Sequence, residues 1–233
     1  MFNAWPKWRR NTLTSIGNDI VDLTSSDSVG KSLDRRFIAR VFTPEEQERI
    51  DRSLSPDATL WMLWAAKEAA FKAVSKFKPG LSFAHRAYAH RDEPGKAAHI
   101  VLKQTNGNAV SIQECGVVMT PAGPVDTFFT LSTHRVHCVA AVRNGNGGAP
   151  AANPVHVLEE RRDGPFDPSA AVRRAAIHHL ASVTKASPYY IDIRRDETPH
   201  GYGAPRVFIE GNRTDIDISL SHDGKYIAFA VHY

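Results

Sequence analysis

Lysine and glutamate side chains occur together in the middle of a strongly apolar stretch. Lys67, Glu68 and Lys72 lie within LWMLWAAKEAAFKAVSKFK, residues 60–78. Burying a charged group is costly unless it has a partner, so such a cluster often serves chemistry or ligand binding. A carboxylate beside two ammonium groups could exchange a proton, hold a metal ion or contact a phosphate. The alternative is a solvated ion pair, because Glu68 and Lys72 have the i, i+4 spacing that favours one on an exposed helix face.

Two further polar sites lie far from this stretch in the sequence. Asp19, within TSIGNDIVDL, shares a strand face with apolar residues and with Gly17, a residue that lets another group approach closely. An acidic side chain there needs a cation or a hydrogen-bond donor, unless it caps a turn. Ser221 and His222 form the third site, at the tip of a hairpin predicted from its Asp-Gly turn.

The sequence predicts a regular element under each of these sites. Apolar residues at helical spacing over residues 60–78 predict an amphipathic helix that faces a core. β-branched residues predict a strand from Thr14 to Leu23, and strict alternation predicts another over residues 215–221, with Ile216, Ile218 and Leu220 inward.

Other segments carry clear start and stop signals. Thr43 is a candidate helix N-cap, with Pro44 in the first turn and Glu46 at the capping-box position. Asp167-Pro168 predicts the start of a helix that runs to about Ala186. GYGAP, residues 201–205, predicts a glycine-rich turn.

The composition is that of an ordinary soluble domain. Of 233 residues, 42% are hydrophobic and 23% charged, and the net charge of +4 weakly favours acidic partners. The sequence shows neither a signal-peptide core nor a long apolar run, which predicts a cytoplasmic protein without a membrane segment. Its arginines are scattered in pairs without interleaved aromatic residues, which argues against nucleic-acid binding. Cys115 and Cys138 are predicted to be buried thiols without a disulfide.

Loop-forming residues divide the chain into two parts. We predict a first subdomain over residues 1–143, a linker over 144–156 and a second subdomain over 157–233. LSTHRVHCVAAV and LSHDGKYIAFAV, which start at Leu131 and Leu220, align without a gap. The predicted fold class is therefore α+β, with two similar subdomains, each an antiparallel sheet plus a long helix, related by a pseudo-twofold axis in a monomer.

The three polar sites together resemble the 4′-phosphopantetheinyl transferase superfamily, whose members transfer the phosphopantetheine arm of coenzyme A to a carrier-protein serine. IGNDIV, residues 16–21, matches the family's Gly-x-Asp strand motif. WAAKEAAFK, residues 64–72, matches its W/F-x-x-K-E-x-x-x-K helix motif in full, which is the more specific signal. SLSHDG, residues 219–224, resembles its Ser-His motif, and GYGAP resembles its Gly-Lys-Pro turn.

The resemblance implies a Mg²⁺-dependent transferase with coenzyme A as substrate and an acyl or peptidyl carrier protein as partner. It implies Asp19 and Glu68 as metal ligands, and Glu68 and Lys72 as catalytic residues. The proton acceptor would be Glu68 itself or a metal-bound water. The residues expected to bind coenzyme A are Lys67, Lys72, Ser221, His222 and Arg174.

Some features depart from the family pattern. The Ser-His half follows the Lys-Glu half here, which is the reverse of the larger Sfp-like members. Val21 replaces a second acidic metal ligand, and Ala204 replaces the lysine of the Gly-Lys-Pro turn, for which Arg174 or Arg206 could substitute. An alternative is a catalytically inactive relative that binds coenzyme A or a carrier protein. Basic residues that could meet an acidic carrier protein, or form a solvated helix face, are Arg35, Arg36 and Arg40.

Overall fold

The computed structural model describes residues 13–92, 102–105, 111–143, 155–198 and 201–233. The α-helices within these ranges are α1 (Arg35–Val41), α2 (Pro44–Arg52), α3 (Pro56–Ser75) and α4 (Pro168–Thr184). The strands are β1 (Leu13–Asp22), β2 (Ala89–Asp92), β3 (Leu102–Gln104), β4 (Glu114–Thr120), β5 (Gly123–Leu131), β6 (Arg135–Arg143), β7 (Val155–Arg161), β8 (Ile191–Thr198), β9 (Gly201–Ile209), β10 (Asn212–Arg213), β11 (Asp217–Asp223) and β12 (Tyr226–His232). None of the helices in these ranges is long and apolar enough to span a membrane.

Local capping signals fix the starts of α2 and α4, as the sequence predicts. The Glu46 amide donates to the Thr43 hydroxyl at 3.4 Å, and the Thr43 amide donates to the Glu46 carboxylate at 2.8 Å. The two bonds form a capping box that satisfies amides left unpaired at the start of α2. At the start of α4, the Asp167 carboxylate accepts from the Ala170 amide at 3.0 Å.

Helix α3 contains the Lys-Glu motif and packs across the first sheet. It begins at Pro56, one turn before the predicted start, and ends at Ser75, before the Pro-Gly stop signal. The prediction that Phe77 lies on its buried face is wrong, because Phe77 follows the last helical turn and is exposed. The apolar positions that the periodicity correctly predicts to be buried are Leu60, Leu63, Ala70 and Val74.

Two sheets face each other in the middle of the molecule. The first sheet has the order β1-β6-β5-β4-β2 and is antiparallel throughout, and α3 packs on its outer face. The second sheet has the order β11-β12-β7-β3, in which only β3 and β7 are parallel. An apolar cluster that includes Ile16, Phe128, Val157 and Ala230 fills the space between the sheets.

The third sheet, β10-β9-β8, and α4 complete the second half of the chain. Both pack with the outer face of the second sheet around one apolar cluster, to which Leu180, Val207 and Phe229 belong. The predicted turn over residues 201–205 is wrong, because these residues form the first part of β9. Pro205 pairs with Arg195 next to an irregularity in the ladder, a place where a strand tolerates proline.

The observed architecture is a mixed one of helices packed on mainly antiparallel sheets, in agreement with the predicted α+β class. In both halves the first strand pairs with the last, as in β1 with β6 and β7 with β12. The two subdomains and their pseudo-twofold axis stay a prediction. Residues 144–154 of the predicted linker lie outside the described residues, and β7 already begins at Val155.

Candidate active site

A cleft of about 410 Å³ opens where β1, α3, β11 and the start of α4 meet. Its walls include Asp19, Glu68, Lys72, Ser221 and His222, five of the residues singled out in the sequence. Two tryptophans of α3, Trp61 and Trp64, line the cleft as well. The structure thus brings together three polar sites that are far apart along the chain.

Asp19 and Lys72 form a direct ion pair at the base of the cleft. The Lys72 ammonium donates to Asp19 Oδ1 at 2.6 Å and to the Asn18 carbonyl at 3.1 Å. Gly17 permits this contact, since a Cβ atom at that position would lie only 2.0 Å from the Ala69 carbonyl oxygen of α3. The glycine of the Gly-x-Asp motif therefore lets α3 pack directly on the β1 backbone.

Glu68 lies one helical turn before Lys72 and has a perturbed acidity. Burial and the nearby charge of Asp19 raise the pKa of Glu68 to about 7, while Lys72 acts in the opposite direction. A carboxyl group with a pKa close to neutral can accept a proton in a reaction and release it afterwards. This position therefore suits a general base.

Asp19 and Glu68 also have the chemistry of a magnesium site. The negative charge of Asp19 raises the pKa of Glu68, and a bound cation would offset the repulsion between the two carboxylates. Mg²⁺ commonly uses one or two carboxylates as ligands, together with waters and substrate phosphates. No group of three or more His, Cys, Asp or Glu residues placed to hold a metal occurs in the described part of the chain. Protein ligands to a cation here would therefore be these two carboxylates.

Strand β11 brings Ser221 and His222 to the opposite wall. The Ser221 hydroxyl donates to Asp19 Oδ1 at 2.9 Å and accepts from the Ile20 amide at 3.1 Å. The His222 side chain is partly exposed on the cleft wall. Burial and the charge of Lys72 lower the pKa of His222, so its ring is neutral at pH 7 and can donate one hydrogen bond.

A row of side-chain hydrogen bonds, here called the β1–β11 ladder, joins the edges of the two central sheets. Four alternate residues of β11 accept from four alternate amides of β1, and each pair is separated by 201 residues. The pairs, with the β1 amide first, are Ile16 with Asp217, Asn18 with Ser219, Ile20 with Ser221, and Asp22 with Asp223. The constant separation shows that the two strands run in the same direction and in register.

Lys76 fastens the end of this ladder away from the cleft. Its buried ammonium donates to Asp217 at 2.5 Å, to the Ile16 carbonyl at 2.6 Å and to the Ile218 carbonyl at 2.8 Å. Lys76, the residue directly after the last one of α3, thereby contacts both β1 and β11. The same helix thus supplies Glu68 and Lys72 and also holds the two halves of the cleft together.

Lys67, expected to bind coenzyme A, is not brought to the cleft. Its side chain is fully buried, and its ammonium donates to Glu46 at 2.7 Å and to the carbonyls of His85 and Tyr88. Glu46 also accepts from the His90 amide at 2.8 Å. The first lysine of the motif therefore bonds α3 to α2 and to the segment just before β2, and it does not line the cleft.

Two arginines line the cleft in place of those predicted. Arg174 is exposed outside the cleft walls, and Arg206 pairs with Asp196 at 2.8 Å, whereas Arg173 and Arg195 line the cleft. Burial and the charge of Arg173 lower the pKa of Arg195, so the two cations lie close together.

Arg173 also carries an unused donor. Its Nη1 is buried and has no hydrogen-bond partner within the described ranges. A pair of arginines with an unused donor suits an anionic ligand. The helical positions of Ser169 and Val172, which line the same cleft, could have identified Arg173 in place of its neighbour Arg174.

Comparison with known proteins finds a family model that matches the segment containing Asp19, Glu68 and Lys72. The model is that of the 4′-phosphopantetheinyl transferase superfamily, and it matches residues 15–120. The match spans less than half of the chain, and it supports the superfamily resemblance seen in the sequence.

Three relatives of the chain are named holo-[acyl-carrier-protein] synthase. The protein from Idiomarina loihiensis is 38% identical over 80 residues, which are 33% of this chain and 61% of the relative. That from Jannaschia sp. is 37% identical over 62 residues, 27% of this chain and 41% of the relative. The protein from Hydrogenovibrio crunogenus is 26% identical over 106 residues, which are 45% of this chain and 80% of the relative. The chain thus spans less than two thirds of the first two relatives.

Proposed function

We propose that this protein transfers the 4′-phosphopantetheine group of coenzyme A to a serine of an acyl or peptidyl carrier protein, as a monomer in the cytoplasm. The observation that carries the proposal is a single cleft in which Glu68, with a pKa of about 7, lies beside the Asp19–Lys72 ion pair. The opposite wall supplies His222, Arg173 and Arg195, which suit a ligand with several phosphates.

The reaction exchanges one phosphorus–oxygen bond for another. The carrier serine oxygen attacks the β-phosphorus of coenzyme A and forms a new P–O bond. The bond between that phosphorus and the bridging oxygen breaks, and 3′,5′-ADP leaves with the electron pair. The serine proton passes to the Glu68 carboxylate, whose pKa suits this transfer. Catalysis of this kind depends mainly on positioning and on neutralising phosphate charge.

The phosphate charge would be met by cations from both walls. Lys72 would contact the pyrophosphate as a point charge, after exchanging part of its interaction with Asp19. Arg173 and Arg195 would pair with the nucleotide phosphates, in place of the lysine that Ala204 replaces, and His222 would donate a hydrogen bond to them. A Mg²⁺ ion held by Asp19 and Glu68 would supply further neutralisation of the pyrophosphate.

The carrier protein would approach over α1, next to the cleft. Arg35, Arg36 and Arg40 are exposed on this helix, and Arg35 already pairs with Asp51 at 2.6 Å. Arg36 and Arg40 lie one turn apart, so they can meet the same acidic surface. An acidic carrier protein fits this charge better than a basic partner does.

The direct test is incubation of the protein with coenzyme A, Mg²⁺ and a panel of apo carrier proteins, followed by intact-mass spectrometry. We expect a gain of about 340 Da, which is the mass of the phosphopantetheine group itself. Asp19→Asn and Glu68→Gln should abolish the gain while the thermal unfolding temperature stays close to that of the wild type. Absence of a mass gain with every carrier protein, under conditions where coenzyme A binds, would favour an inactive binding relative.

A further inference from the structure

The Ser221 hydroxyl is fully engaged inside the protein. It donates its one proton to Asp19 Oδ1 and accepts from the Ile20 amide, and the residue is only 6% exposed. A phosphate oxygen can only accept a hydrogen bond, so contact with it would require that same proton. Ser221 would then have to break its bond to the Asp19 carboxylate, a charge-assisted bond of the same kind as the one it would gain.

We propose that Ser221 is a positioning residue, which acts on the reaction by holding the Asp19 carboxylate in place. The inference rests on the proposed transfer function and deepens it, because it removes Ser221 from the residues that bind coenzyme A. The nucleotide phosphates are left to His222, Arg173 and Arg195 on the same wall.

The geometry around Asp19 explains why a second donor is needed. Lys72 from α3 and Ser221 from β11 both donate to Oδ1, at 2.6 and 2.9 Å. Two donors from separate elements fix the rotation of the carboxyl group. The described residues donate no hydrogen bond to Oδ2, which is therefore available to a bound group. When Lys72 turns toward a phosphate, Ser221 is the donor that keeps Asp19 oriented.

The rest of the β1–β11 ladder sets the position of Ser221 itself. Ile20 donates to Ser221 just as Asn18 donates to Ser219, at 2.9 Å, so both serines are held by β1 amides. Ser219 is equally buried but makes no hydrogen bond to Asp19 within the described residues. Ser219→Ala is therefore a matched control that removes an equivalent ladder bond without touching the site.

The kinetic test compares Ser221→Ala, Ser221→Thr, Ser219→Ala and His222→Ala. We expect Ser221→Ala to lower kcat by about tenfold or more, the value of one hydrogen bond to a charged group. Ser221→Thr should restore most of this rate, and Ser219→Ala should keep the wild-type kcat with a similar loss of thermal stability. In calorimetry, Ser221→Ala should bind coenzyme A with the wild-type affinity, whereas His222→Ala should bind it more weakly.

A spectroscopic measurement makes the inference testable without turnover. The side-chain carboxyl ¹³C resonance of Asp19 should shift in Ser221→Ala and stay unchanged in Ser219→Ala. If Ser221→Ala instead loses as much coenzyme A affinity as His222→Ala, or leaves the Asp19 resonance unmoved, Ser221 is not a positioning residue. A wild-type protein that transfers nothing would contradict the proposed function, and the resonance would still decide the role of Ser221.

Discussion

Replacing Gly17 by alanine tests whether close packing of α3 on β1 builds the site. The added Cβ would lie 2.0 Å from the Ala69 carbonyl oxygen and 2.8 Å from the Ala73 amide nitrogen. Ordinary contact begins at 3.4 Å, so α3 must move by about 1.4 Å, against backbone atoms that cannot rotate away. Overpacking of this kind costs about 3 kcal/mol or more of folding free energy.

The same displacement should also damage catalysis. Lys72 of α3 contacts Asp19 of β1 at 2.6 Å, so this distance would increase when α3 moves away from β1. A misplacement of about 1 Å in a catalytic group can cost about 100-fold in rate, so we expect at least that loss of transfer in Gly17→Ala. Urea unfolding and the mass-spectrometric transfer assay measure the two effects separately.

Two comparisons isolate the steric cause. Gly30→Ala adds a Cβ that meets nothing within 4 Å, and its positive φ of 76° should cost only about 1 kcal/mol through backbone strain. Adding Ala69→Gly to Gly17→Ala should not rescue the protein, because the obstructing atom belongs to the Ala69 backbone. A Gly17→Ala protein with wild-type stability and activity would refute the reasoning.

Other predictions address the surroundings of the site. Lys67→Met leaves the buried Glu46 carboxylate without its cation and should lower the free energy of unfolding in urea by about 3 to 5 kcal/mol. Adding Glu46→Gln should recover part of this loss, and no recovery would contradict the ion-pair account. Burial alone would raise the pKa of Glu159, but a histidine, a threonine and an arginine lower it to about 2. The ionised Glu159 therefore stabilises the fold above its unfolded pKa of 4.5, and roughly 3 kcal/mol of unfolding free energy should be lost as the pH falls from 4.5 to 2. In Glu159→Gln this part of the pH dependence should be absent. Arg36→Glu with Arg40→Glu should raise KM for the carrier protein and leave KM for coenzyme A unchanged; an equal rise in both would exclude α1 as the docking surface.

Signals between residues close in sequence predicted the structure well. The capping box of Thr43 and Glu46 and the start of α4 depend on neighbours within one helical turn, so propensity and pattern identify them. Periodicity also predicted the buried positions Leu60, Leu63, Ala70 and Val74 of α3, and Ile218 and Leu220 of β11.

Signals that depend on distant partners were not readable. The polar side of β11 has the pattern of a solvent-facing strand, yet it accepts the β1 amides. Lys67 has no sequence neighbour that indicates its pairing with Glu46, which lies 21 residues earlier. On α4, a one-residue difference turns a side chain by about 100°, which separates Arg173 in the cleft from Arg174 outside it.

The β1–β11 ladder also has a consequence for how the protein is made. Its bonds join residues 201 positions apart, so β1 cannot form them until β11 has been synthesised. Until then the amides of Ile16, Asn18, Ile20 and Asp22 form an open sheet edge, which is a template for pairing with other chains. Contacts so distant in sequence form slowly, because a long loop must close first. Nascent chains that stop before β11 should therefore aggregate, and the cleft should be among the last parts of the molecule to form.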